Sequence, residues 1–264
     1  MPDDKPKVDE ESPDDLPWDH EYFNRHLEVA ESGDAEAQYL FGVAHTNCLD
    51  FEPDYVEAIK WWRNAAAQHH AESHYKLGEC YEHGRGVPLD KVAAANWYRG
   101  AAELGYALAQ AERGMRFLYG DEEPQDYMEA AIWFCKAAEQ GEHHAQFQLG
   151  LLYRRGTGVP SDNVEAAAWF RKSADQGNPE AQYHLGLMYA KGCGVTQDDT
   201  QAAAWFLKAA EQGQVDSEFA IGLMYESGRG VPQDKDKSVE WIRRAAEHGE
   251  EMAHEKHQAM GVDE

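Results

Sequence analysis

Three things are scarce in this 264-residue sequence: cysteine, long apolar runs and positive charge. The four cysteines, Cys48, Cys80, Cys135 and Cys193, form no CxxC pair and share no register. They read as free thiols rather than a disulfide framework, which fits a reducing compartment. A helix that crosses a bilayer needs roughly 20 consecutive apolar residues, and no such run exists. The N-terminus lacks the basic start and apolar stretch of a secretory signal, so the expected location is cytoplasmic. Lys and Arg number 24 against 49 Asp and Glu, a net charge of −25. Nucleic-acid binding needs Lys and Arg to displace counterions from phosphates, so this balance argues against it. Anionic membrane surfaces are disfavoured for the same reason. The acid excess serves solubility, and as a functional signal it points to a basic partner.

What the sequence does contain is periodic. Trp61, Trp97, Trp133, Trp169, Trp205 and Trp241 follow one another at intervals of 36 residues. Gly42, Gly78, Gly114, Gly150, Gly186 and Gly222 keep the same interval. So do Gly33, Gly105, Gly141, Gly177, Gly213 and Gly249, with His69 filling the one gap. Such a period is the signature of a repeat architecture in which each copy buries its apolar face against its neighbours.

Each copy contains two helical patterns. The first is typified by residues 181–189 (AQYHLGLMY), with small and apolar residues at helical spacing. Glycine inside that helix is unfavourable by about 1 kcal/mol relative to alanine, so its recurrence predicts a close crossing by another helix. The second is typified by residues 165–176 (EAAAWFRKSADQ), where alanines and a Trp-Phe pair offer a packing surface of small against large. Between them runs a connector, GTGVPSD at 156–162, echoed at 84–90 and 228–234. Glycine ends the first helix and proline blocks its continuation. Asp54, Asp90, Asp126, Asp162, Asp198 and Asp234 occupy one column at the predicted N-cap of the second helix. Three residues on, Glu57, Glu129, Glu165 and Gln201 complete a capping box in four copies.

The predicted fold is therefore all-α, a solenoid of about six helix-turn-helix repeats over residues 34–249. Residues 1–16 form an acidic tail with too little apolar content to fold. Residues 17–33 read as an N-terminal capping helix, and residues 250–264 as a C-terminal capping helix and tail.

The pattern A-x-Y-x-L-G-x-x-Y-x-x-G-x-G-V-P-x-D, followed by A-A-x-W-F-x-K-A-A-E-Q-G, resembles the Sel1-like repeat family, relatives of the tetratricopeptide repeats. The resemblance implies α/α hairpins stacked into a right-handed superhelix with a concave groove. It also implies adaptor roles, often in bacterial signalling, secretion and host interaction. Two copies depart from the pattern: the connector near Asn47–Phe51 lacks both glycines, and the connector at 120–126 has Glu122 for the second glycine while Arg113 occupies the Leu column.

Few of the remaining motifs carry chemistry. Some relatives are reported to bind penicillin-type substrates, which makes Ser73-x-x-Lys76 and Ser161-Asp162-Asn163 worth weighing as an acyl-serine site. Ser73 sits in the small-residue column, the second motif lies in the capping connector, and no K-T-G accompanies them. His70 and His74, and His254 and His257, have spacings that metal sites use, but neither pair belongs to a zinc signature. No catalytic residue, metal site or cofactor is expected.

Function is expected where the copies differ, because those positions escape the packing constraint. On the first helices these are Lys76, Glu79 and His83; Glu112, Met115 and Tyr119; Gln148, Leu151 and Arg155; and His184, Leu187 and Lys191, with Arg113 beside them. The neighbouring column of Tyr39, Tyr75, Phe147, Tyr183 and Phe219 reads as packing, since aromatics at regular helical spacing build core. The expected function is an adaptor that holds a protein or peptide in its groove. The alternative is an immunity or inhibitor protein that neutralises a toxin or effector. A β-lactamase-like enzyme is the remote third.

Overall fold

The computed structural model describes residues 27–47, 52–120, 124–249 and 253; the predicted acidic tail, parts of both terminal caps, Cys48, Glu122 and the His254/His257 pair lie outside them. Among the described residues there is no strand; residues 27–31 are helical, and the twelve helices after them follow one another in pairs. The pairs are α1 (Ala35–Asn47) with α2 (Tyr55–Ala66), α3 (Ala71–His83) with α4 (Lys91–Glu103), and α5 (Ala107–Tyr119) with α6 (Tyr127–Glu139). They continue as α7 (His143–Arg155) with α8 (Asn163–Asp175), α9 (Pro179–Lys191) with α10 (Asp199–Glu211), and α11 (Val215–Ser227) with α12 (Lys235–Glu247). The chain divides into two compact units, residues 1–109 and 110–264.

The Asp column starts every second helix as expected. One Oδ1 of each accepts from the backbone N–H three residues on, at 3.0–3.1 Å in all six copies. The reciprocal half of the capping box does not form. Each Asp gives its own N–H to a carbonyl of the preceding helix, at 2.8–3.0 Å: His45, Tyr81, Phe117, Tyr153, Tyr189 and Tyr225 in turn. That donor is already satisfied, so Glu57, Glu129, Glu165 and Gln201 have nothing to cap.

The helical glycines are explained by what faces them. A Cβ on Gly186 would stand 2.7 Å from the Phe206 ring of the partner helix α10, and one on Gly150 would stand 2.7 Å from Phe170 of α8. The close crossing lies within a pair, between helices of one copy. The tryptophans join successive copies instead. Trp169 shares a cluster with Phe134 of the copy before it and Leu149 of its own first helix, and Trp205 shares one with Phe170 of the copy before it and Leu185 of its own. In the first unit Trp97 packs on the cluster of Trp62 and Leu77. The adjacent Trp169 and Phe170 thus belong to neighbouring clusters, Trp169 to that of Phe134 and Phe170 to that of Leu185.

Polar side chains also link the two helices within a copy. Gln176 Nε2 donates to Gln146 Oε1 and Gln212 Nε2 to Gln182 Oε1, both at 2.8 Å, and Gln140 does the same to Gln110. In the first unit Gln68 donates to Gln38 at 2.9 Å. The last step of the second unit replaces amides with charges. Glu218, fully buried, lies 2.8 Å from His248 and 3.3 Å from Arg244.

Candidate partner-binding surface

The variable positions of the second unit lie on one side of the first helices, opposite the side that buries Leu149, Leu185 and Ile221. Met115, Leu151 and Leu187 are half-buried. Each rests on a core cluster and leaves an edge open, and Leu223 of α11 continues the column. Tyr119, at the end of α5, is 68% exposed. Glu112 and Gln148 are half-buried beside this aliphatic row, and Arg155 and Lys191 stand exposed at the ends of α7 and α9. Arg113, in the Leu column, is half-buried with its guanidinium over the Trp133 ring at 4.7 Å, so it takes part in packing. In the first unit Lys76 and Glu79 pair with each other at 3.0 Å, and His83 is exposed.

His184 is placed differently from its neighbours in that row. Its ring stacks on Phe147 at 5.6 Å between centroids, with Phe170 at 5.3 Å. Arg154 Nη1 lies 2.9 Å from Nδ1. A guanidinium only donates, so Nδ1 is the acceptor. Burial, then the positive charges of Arg154 and Arg155, push the His184 pKa down to about 4. The imidazole is neutral at pH 7, and the two arginines keep their charge uncompensated by it.

The aromatic column beside these positions packs, as expected. Tyr75 contacts Tyr98 and Tyr106, Phe147 contacts Phe170, and Tyr183 contacts Phe206, all with centroids 5.0–5.9 Å apart.

The motifs weighed for catalysis are occupied by structural work. Ser73 is fully buried, and its Oγ and backbone N–H both face His70 Nδ1, at 3.1 and 3.3 Å. His70 Nε2 lies 2.9 Å from the Glu36 carboxylate, which assigns the proton to Nε2 and leaves Nδ1 to accept. Lys76 Nζ is engaged by Glu79. Asp162, in the second motif, caps α8 through Val164 N–H and Glu165 N–H. His70 and His74 fall on either side of the start of α3. Among the described residues no group of three or more His, Cys, Asp or Glu gathers as metal ligands do. Cys80, Cys135 and Cys193 are free; burial pushes the Cys80 thiol up to about 11. No described helix is long and apolar enough to cross a membrane.

The family model for the Sel1 repeat matches six consecutive segments: residues 35–70, 71–106, 107–142, 143–178, 179–214 and 215–250. The sequence has no match among curated proteins. Among solved structures, the chain is similar to c5321, a protective antigen of uropathogenic Escherichia coli that displays an SLR fold, at 35% identity and a TM-score of 0.77. That match covers 89% of this chain and 50% of the antigen, so the chain spans half of that protein's length. A Sel1 repeat protein from Oxalobacter formigenes matches at 28% identity and a TM-score of 0.67, over 86% of this chain and 97% of the other.

Proposed function

The chain belongs to the Sel1 repeat family, and from that premise we propose that it is an interaction scaffold that holds a partner protein or peptide on the first-helix faces of its repeats. One observation carries this reading. Met115, Leu151, Leu187 and Leu223 recur at the 36-residue interval as half-buried aliphatic side chains, bordered by side chains that change from copy to copy. Repeated aliphatic anchors supply affinity, and the variable border supplies selection among partners. A cytoplasmic scaffold without catalytic activity is the role this supports, in keeping with a fully buried Ser73. Neutralisation of a toxin or effector is the second reading, favoured by the net charge of −25, which suits a basic target.

Site-specific photo-crosslinking tests the scaffold reading. A benzophenone side chain at position 151 or 187 is expected to capture a discrete partner from extracts of the source cells. The same group at position 164, exposed in the first turn of the second helix α8, is expected to capture none. Capture from position 164 alone would move the interaction off the proposed face and end this reading. An identified basic toxin would favour neutralisation over a general adaptor.

A further inference from the structure

We infer that the first-helix face of the second unit selects a partner segment that is acidic, although the chain as a whole is strongly acidic itself. The inference deepens the scaffold reading and rests on it.

Acids outnumber cations about two to one here, 49 to 24, so a cation left without a carboxylate is the exception to explain. Most cations of the second unit are engaged. Lys136, Lys172 and Lys208 lie over Trp133, Trp169 and Trp205 at 3.7–4.3 Å. Arg229 pairs with Asp199, Arg244 with Glu218 and Arg243 with Glu247. Arg155 and Lys191 make no hydrogen bond or ion pair among the described residues. They occupy the same column in successive copies, at the exposed ends of α7 and α9.

Arg154 adds a third charge there. Its partner is the His184 imidazole, which is neutral and cancels nothing. Burial first, and then the charges of Arg154 and Arg155 beside the ring, lower the pKa of His184. Acids flank the face at its other end, while at this end Asp162 and Asp198 are engaged by the backbone donors they cap. Glu180 and Asp216 lie in the first turns of α9 and α11, a helix length away. Between the two ends runs the aliphatic row of Leu151 and Leu187. A segment that lays aliphatic side chains on that row meets Arg155 and Lys191 on one border, where carboxylates gain and ammonium groups are repelled. Cations in a last helical turn also complement the helix dipole. That role alone would affect stability and not ligand choice.

Fluorescence anisotropy with three labelled amphipathic peptides separates these cases. The peptides share one leucine face and carry Glu, Gln or Lys on the other. The Glu peptide is expected to bind about tenfold or more tighter than the Lys peptide. Arg155→Glu with Lys191→Glu is expected to invert that order. Arg155→Gln with Lys191→Gln is expected to abolish the preference, with the helical circular dichroism of both variants unchanged. Equal binding of all three peptides, or a preference that survives both double variants, overturns the inference and leaves the aliphatic face standing as a docking site. Binding by none of them also overturns it, while crosslinks from positions 151 and 187 judge the scaffold reading separately. Lowered stability of the reversed variant with an unchanged preference assigns the cations to the helix dipole and ends the proposal.

Discussion

Gln176 Nε2 donates to Gln146 Oε1 at 2.8 Å across 30 residues, from the end of α8 back to α7. Gln146 in turn gives its own Nε2 to the Ala138 carbonyl at 3.1 Å, at the end of α6. One buried amide therefore ties three helices from two copies together, and the copies at Gln182 and Gln212 repeat the arrangement. A buried carbonyl stripped of its donor costs about 1–3 kcal/mol, whereas removal of both partners together can be nearly neutral. Gln176→Leu is expected to destabilise the protein by about 1–2 kcal/mol in urea unfolding. Gln146→Leu with Gln176→Leu is expected to lose less than the sum of the single changes. Strict additivity in this cycle would show that the two amides do not interact.

His69 occupies a position that the other copies give to glycine, with φ of 64°. The equivalent glycines lie at φ of 83–102°, and a Cβ there meets nothing within 4 Å. Space is therefore not the constraint; backbone conformation is. A left-handed conformation costs an L-residue about 1–2 kcal/mol, part of which glycine returns as extra freedom in the unfolded chain. His69→Gly is expected to stabilise the chain by about 0.5–1 kcal/mol, read as a higher thermal midpoint. His69→Ala keeps the strain and is expected to leave the midpoint nearly unchanged. If His69→Gly lowered the midpoint, the strain argument would be wrong.

The helix pairs and the roles of the Asp column and the mid-helix Gly column are legible in the sequence because each column repeats one local solution. The glutamine ladder is not legible in either helix pattern, although its columns, Gln38 to Glu218 and Gln68 to His248, keep the same interval except at His74 and Leu104. Its partners are 30 residues apart, so the bond belongs to neither helix pattern alone and emerges only when the two helices of a copy pair. The capping box failed for a related reason. The sequence shows that Glu165 stands three residues after Asp162, but not that Tyr153 O already holds the Asp162 N–H. At the candidate surface, spacing identified the row of Leu151 and Leu187. It could not separate exposed Arg155 from Arg154, the adjacent arginine that reaches across to His184.

The His184 ring carries the sharpest pH prediction. Its native pKa is about 4, against an ordinary value of 6.5, chiefly because burial disfavours the imidazolium and secondarily because Arg154 and Arg155 repel it. As pH falls, the unfolded chain takes up this proton first, near 6.5. The stability this site contributes is thus complete above pH 6.5 and is lost progressively between pH 6.5 and about 4. The imidazole signals of His184, followed by two-dimensional NMR, are expected to titrate near pH 4. Arg154→Gln removes one repelling charge and is expected to raise that midpoint only in part, because burial between Phe147 and Phe170 remains. A midpoint near 6.5 in the unmodified protein would mean that the ring is solvated, and that Arg154 and Arg155 do not make this end of the face electropositive.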